Sequence, residues 1–112
     1  MIYFNTDNEK LLLQAILKVC ENNEFSYELK TERHDFSNIY VLRALGHGRE
    51  FYIRAEASLT SFAVECGETR KIIGTDEINN SVEVLSKFIL ATVQKQFDIV
   101  KEAMAIFLGE QK

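Results

Sequence analysis

The sequence predicts an α+β domain. It has an N-terminal helix, an antiparallel sheet of four or five strands in meander order, and a long C-terminal helix, with both helices packed on one face of the sheet. Three observations predict it. Apolar residues recur every three or four positions near the start and again, over roughly 28 residues, near the end. Between these stretches, short segments alternate apolar and polar with a period of two. The segments are joined by connections too short for parallel crossovers, so neighbours run antiparallel. With 112 residues, 46% of them hydrophobic, the chain 1–112 is one domain able to build a core without disulfides or metal.

The first helix begins at Thr6, which can cap it. Glu9 stands three residues later, the spacing of a reciprocal capping box. Leu12, Leu13, Ile16, Leu17 and Cys20 form its apolar face, and Asn22-Asn23 is the expected stop. Phe25, Tyr27 and Leu29 then alternate with Ser26, Glu28 and Lys30, giving the first strand; Arg33 to Asn38 reads as a polar loop. Ile39 to Leu45 and Arg49 to Ala57 are the second and third strands, joined by Gly46-His47-Gly48. Phe62 to Cys66 is the fourth, and a weaker fifth ends near Gly74. The last helix starts near Asn80 or Ser81 with Glu83 in its first turn. Its stripe is Val82, Leu85, Ile89, Val93, Phe97, Val100, Met104 and Phe107, with Gly109 as terminator.

A three-residue turn at Gly46–Gly48 sets Leu45 opposite Arg49, so Val41 meets Ile53 on the core face and Tyr40 meets Arg54 on the outer one. A loop at Ser58–Ser61 sets Ala57 opposite Phe62, Ala55 opposite Val64 and Arg54 opposite Glu65. The core face is therefore Phe25, Tyr27, Leu29, Val41, Phe51, Ile53, Phe62 and Val64. Arg43 is the misfit, since this register puts it on the core face opposite Phe51.

Several function classes are disfavoured. The net charge is −4, so direct nucleic-acid binding or attachment to an anionic membrane has no electrostatic basis. No apolar run reaches the length of a membrane span. The N-terminal segment lacks the basic start and long apolar stretch of an export signal, so a cytoplasmic protein is expected, with Cys20 and Cys66 as free buried thiols. Asp76-Glu77 are adjacent and read as a polar lead-in to the last helix. His34 and His47 have no second ligand at metal-binding spacing. Gly46-His47-Gly48-Arg49 precedes a strand, so it is a hairpin turn and not a phosphate cradle. No catalytic residue, cofactor or metal is expected.

Two surfaces invite a protein partner. The outer sheet face carries Glu28, Lys30, Tyr40, Leu42, Tyr52, Arg54, Glu56, Glu65 and Lys71. Tyrosine and arginine are frequent interface anchors, so Glu28, Tyr40, Tyr52, Arg54, Glu56 and Glu65 are the candidate partner-binding residues. On the long helix, Phe88, Ile99 and Ile106 form a second apolar line. A continuous helix from Ser81 to Leu108 would overhang the domain by about two turns. Either the helix bends back near Gln94–Asp98 or a second chain covers its end; the second is preferred because Ile99 and Ile106 diverge from the main stripe, and Ile99, Ile106 and Phe107 are then the candidate self-association residues.

The order of helix, antiparallel strands and long C-terminal helix resembles two bacterial groups, over the whole chain and as an arrangement of elements without a shared motif. One is the immunity proteins of contact-dependent growth inhibition. That resemblance implies a small acidic inhibitor that binds a toxin domain, commonly a basic nuclease. The other is the class I chaperones of type III secretion with the related YbjN-like domains, which implies an acidic homodimer holding an extended effector segment. The chaperone pattern has a helix between its third and fourth strands, where this chain has only Ser58-Leu59-Thr60-Ser61, so the immunity reading comes first. A small enzyme or ligand-binding domain, with a site that converges only in three dimensions, is the third expectation.

Overall fold

Leu12, Ile16, Val19 and Cys20, with Ala15 between them, place a strip of small and large apolar side chains on one side of the N-terminal helix, and all five are buried. This helix is α1, Thr6–Asn22. The computed structural model describes residues 6–33, 38–46 and 48–109. After α1 come β1 (Ser26–Arg33), β2 (Asn38–Gly46), β3 (Arg49–Ala57), β4 (Ser61–Cys66) and β5 (Thr69–Gly74), then a single turn, α2 (Thr75–Ile78), and the long helix α3 (Val82–Phe107). The strands pair in chain order, each antiparallel to the next.

The end of α1 is a Schellman turn. Phe25 N–H donates to the Cys20 carbonyl at 2.9 Å and Glu24 N–H to the Glu21 carbonyl at 3.3 Å. The left-handed residue this turn requires is Glu24, at φ 57°, rather than either asparagine of the expected stop. Asn23 instead sends its amide to the Val19 carbonyl. Phe25 is thereby thrown into the core, where its ring meets Phe51 edge-on, and Phe51 meets Phe97 the same way.

Both α1 and α3 lie on one face of the sheet and pack on each other and on its strands. The core between them is filled by Phe51, Ile53 and Ala55 of β3, Phe62 and Val64 of β4, and Leu85, Ile89 and Val93 of α3. The second hairpin has the expected register, Ala57 opposite Phe62 and Arg54 opposite Glu65.

The first hairpin does not. Gly46 pairs with Arg49, so the loop counts two residues instead of three, and Leu42 faces Ile53 while Tyr40 faces Ala55. Every side chain of β2 is on the face opposite to the one expected. Tyr40, Leu42 and Ala44 are buried, and Val41 and Arg43 point outward. The stretch Ile39–Leu45 is apolar on both parities, and only Arg43 tells them apart. The observed register puts it in water, which removes the misfit. Tyr27 and Leu29 stay on the helix side, opposite Ala44 and Leu42. Because β1 is the edge strand, Leu29 is only partly buried and Tyr27 remains 45% exposed.

Glu9 does not serve as a capping-box residue. Its carboxylate is buried, accepting from Tyr40 Oη at 2.6 Å and Asn38 Nδ2 at 2.9 Å. Its other oxygen, Oε2, has no hydrogen-bond partner among the described residues.

Ser81 caps α3, accepting from the Val84 N–H at 3.2 Å, as the sequence predicts. Asp76 and Glu77 lie in α2, where the Glu77 carboxylate accepts from the Gly74 N–H at 2.9 Å. The helix α3 runs unbroken for 26 residues, about 39 Å at 1.5 Å per residue. Gln96 ties its middle to the β4–β5 turn, accepting from Glu68 N–H at 3.1 Å and Thr69 Oγ1 at 3.0 Å. Beyond this clamp the helix leaves the sheet, and the molecule measures 59 × 27 × 26 Å.

Candidate partner-binding face

Because strand side chains alternate across the sheet, fixing one face as core fixes the other as bare. Pairing across the strands lays out that outer face in rows. One row is Glu28, Arg43, Tyr52; the next is Lys30, Val41, Arg54, Glu65, Arg70; a third is Glu32, Ile39, Glu56, Ala63, Ile72. No helix among the described elements covers them.

Two arginines organise the face. The Arg43 guanidinium grips Glu50 with both prongs, Nε to Oε1 at 2.7 Å and Nη2 to Oε2 at 3.3 Å, while Tyr52 Oη donates to the same Oε1 at 2.7 Å. These two donors, Arg43 first, hold the Glu50 carboxyl down to about 2. In return, the hydrogen bond to Glu50 and its negative charge push the Arg43 guanidinium above its usual range, and the same carboxylate raises the Tyr52 hydroxyl. Arg54 sits at the centre, with Nη2 donating to Glu32 Oε1 at 3.3 Å and Nε 4.0 Å from Glu65 Oε1. All these side chains are well exposed, so each pair is worth little stability. Between the rows lies a shallow open hollow of about 440 Å³ lined by Ile39, Arg54, Glu56, Ala63, Glu65 and Arg70. Among the described residues no group of three histidine, cysteine, aspartate or glutamate side chains comes together to hold a metal. His34 and His47 lie outside the described residues.

Of the expected partner-binding residues, the structure places Glu28, Tyr52, Arg54, Glu56 and Glu65 on this face. Tyr40 is a correction. It is 6% exposed on the opposite side, where burial, and then its hydrogen bond to Glu9, push its hydroxyl up to about 12. Leu42 is likewise core, and Lys71, opposite Val64, is exposed on the helix side of β5. Sequence reasoning missed Arg43, Glu50, Ile39, Val41 and Ile72 as members of the face. The unplaced charge of Arg43 was the signal that could have found the β2 residues.

Ile99, Ile106 and Phe107 occupy the part of α3 that has left the sheet, with 36%, 76% and 87% exposure. Cys20 and Cys66 are buried free thiols, each pushed up to about 11 by burial, with the Glu21 charge adding at Cys20.

Protein-family models, curated proteins and solved structures contain no match to this chain. Exposed aromatic, aliphatic and guanidinium groups stand in ordered rows, with the Glu50 carboxylate held by Arg43 and Tyr52 and the Glu32 and Glu65 carboxylates beside Arg54. This suits recognition by a flat protein surface. Among the described residues no helix is long and apolar enough to cross a membrane.

Proposed function

We propose that this domain is a protein-binding module acting as an immunity protein, which engages a toxin domain through the bare face of its sheet. The observation that carries the reading is the segregation of both helices to one side. It leaves a five-stranded face, about 19 Å across at 4.8 Å per strand gap, centred on Tyr52 and Arg54 and flanked by half-buried Val41 and exposed Leu45 and Ile72. Tyrosine and arginine anchors within a rim of paired charges are the usual make-up of an interface centre. The net charge of −4 favours a basic partner, such as a nuclease domain, through faster encounter.

The second reading, a secretion-chaperone-like homodimer, is favoured by the exposed end of α3. One experiment separates them. Tagged wild type, a Tyr52→Ala/Arg54→Glu variant and an Ile106→Glu/Phe107→Glu variant are used as baits in host lysate, and each retained protein is quantified by mass spectrometry. The immunity reading expects a protein retained by wild type and by the helix-end variant and lost with the sheet-face variant. A protein lost only with the helix-end variant overturns it in favour of the chaperone reading.

A further inference from the structure

The sheet ends in an open strand. β1 is its terminal strand, paired on one side to β2 through every residue from Ser26 to Arg33, with no described element on its other side. About half of its backbone N–H and C=O groups therefore point away from the sheet, the arrangement to which another strand adds. The usual ways of blunting such an edge are largely missing. The chain has no proline, and the ladder with β2 is continuous, without a bulge. The helices sit over the inner strands, α1 over β2 and β3 and α3 over β4 and β5. Every side chain of β1 except that of Leu29 is exposed. What remains at the edge is charge. Glu28 and Lys30 stand on the outer face, and neither has an ion pair among the described residues.

We propose that β1 is a homodimer interface, to which the same strand of a second copy adds antiparallel about a two-fold axis through Leu29 and perpendicular to the sheet. The charge pattern of β1 selects this occupant and this register. With such an axis both helix layers lie on one side, so residues that meet have the same parity. Centring on Glu28 sets Glu28 against itself. Centring on Lys30 sets Lys30 against itself and Glu28 against Glu32. Centring on Leu29 brings each Glu28 opposite Lys30 of the other copy on the outer face. On the helix side it sets Leu29 on Leu29 and Tyr27 on Thr31, an aromatic beside a β-branched residue. Centring on Thr31 also joins opposite charges, Lys30 with Glu32, but it shortens the overlap, sets Leu29 against Arg33 and calls on a Glu32 that already holds Arg54 at 3.3 Å. The strand's own charges, Glu28, Lys30, Glu32 and Arg33, cancel, so the edges meet without net repulsion between them. Both outer faces then lie on one side of a continuous ten-stranded sheet, open to the partner proposed above.

Sedimentation equilibrium of the purified chain between about 1 and 200 µM tests this without any other partner. Wild type is expected to pass from monomer to dimer across that range. Glu28→Lys and Lys30→Glu, each alone, turn both charge pairs into like pairs, and each is expected to raise Kd about tenfold or more. Their melting curves at about 1 µM, where the chain is monomeric, should match wild type, because both side chains are exposed. An equal mixture of the two single variants restores opposite charges at every meeting point and is expected to form a heterodimer at least as readily as wild type dimerises. Leu29→Cys is expected to cross-link to itself on mild oxidation, since directly opposed residues stand about 4.5–5.5 Å apart between Cα atoms. Thr31→Cys is not, its counterpart lying about 13 Å away along the strands; the native thiols are buried and do not compete. A wild type that stays monomeric at the highest concentration overturns the proposal. So does growth beyond the dimer, which marks head-to-tail joining of β1 to β5, or a mixture that associates no better than either single variant. A Thr31→Cys variant that cross-links as fast as Leu29→Cys overturns the register and with it the charge argument for a second copy.

Discussion

Tyr40→Phe removes one oxygen and tests the register of β2. In the structure that oxygen is buried and donates to Glu9 at 2.6 Å. The other acceptor on the same carboxylate, Oε2, already lacks a partner among the described residues, so the loss leaves Glu9 with Asn38 as its remaining side-chain donor among them. A hydrogen bond to a charged group contributes about 1.5–3 kcal/mol when its loss strands a buried partner, and about 2 kcal/mol is expected here. For a domain of 112 residues, this lowers Tm by about 8 °C. Tyr52→Phe is the internal control. Its hydroxyl bonds the exposed Glu50, and its loss should cost no more than about 0.5 kcal/mol. Urea unfolding of both variants gives the two values directly, and an unchanged m-value shows that the unfolding reaction is the same. Had the turn counted three residues, both tyrosines would stand on the solvated face and both changes would be cheap. A Tyr40→Phe cost below about 0.5 kcal/mol, equal to that of Tyr52→Phe, would refute the register and with it the assignment of the outer face.

Glu24→Gly should raise stability by about 0.5–1 kcal/mol in the same urea assay, because a left-handed residue closes α1 and glycine adopts that conformation without a Cβ penalty. Gly67→Ala should lower it by about 1–2 kcal/mol; Gly67 has φ +60°, and a Cβ there would lie 2.5 Å from the Gln96 side chain that ties α3 to the β4–β5 turn. Alkaline pH should destabilise the fold in a defined direction. The thiols of Cys20 and Cys66 ionise near 9.0 when unfolded and near 11 when folded, so the unfolded state releases protons first. Their contribution is complete below pH 9 and lost as pH rises through 11. A Cys20→Ala/Cys66→Ala variant, although weaker throughout, should show a flatter fall of stability across that window, and an equal slope would contradict the buried environment of the thiols.

The periodicities made most of the architecture legible. Leu12, Ile16 and Cys20, and Leu85, Ile89 and Val93, mark the packed sides of two helices, and the alternation in Arg49–Ala57 and Phe62–Cys66 sets the second hairpin. Periodicity failed where it was degenerate. Ile39–Leu45 offers a plausible apolar set on either parity, and an error of one residue in the turn that follows it was enough to choose the wrong one. A single buried or exposed charge then carries more information than several aliphatic residues, because misplacing Arg43 costs far more than exchanging Val41 for Leu42. Glu9 shows the converse difficulty. A glutamate at capping-box spacing looks local, while its actual partners, Asn38 and Tyr40, are distant in sequence and become neighbours only once α1 crosses β2. Five of the six expected face residues were found because β1, β3 and β4 carry unambiguous alternation; Tyr40 was misplaced along with β2. The exposed end of α3 was visible from length alone, since its stripe continues past what one sheet can cover.

Titration calorimetry of the protein retained by wild-type bait, against wild type and Tyr52→Ala, tests the sheet-face assignment most directly. Tyr52 is 52% exposed in the free domain and stands next to Arg54 on the bare face. A tyrosine anchor at an interface centre contributes about 2 kcal/mol or more, so Kd should rise by about 30-fold or more. The melting curve of Tyr52→Ala should stay close to that of wild type. A Kd within about twofold of wild type for Tyr52→Ala, together with full loss of binding in Ile106→Glu/Phe107→Glu, would contradict the account and move the partner site from the sheet to the helix end.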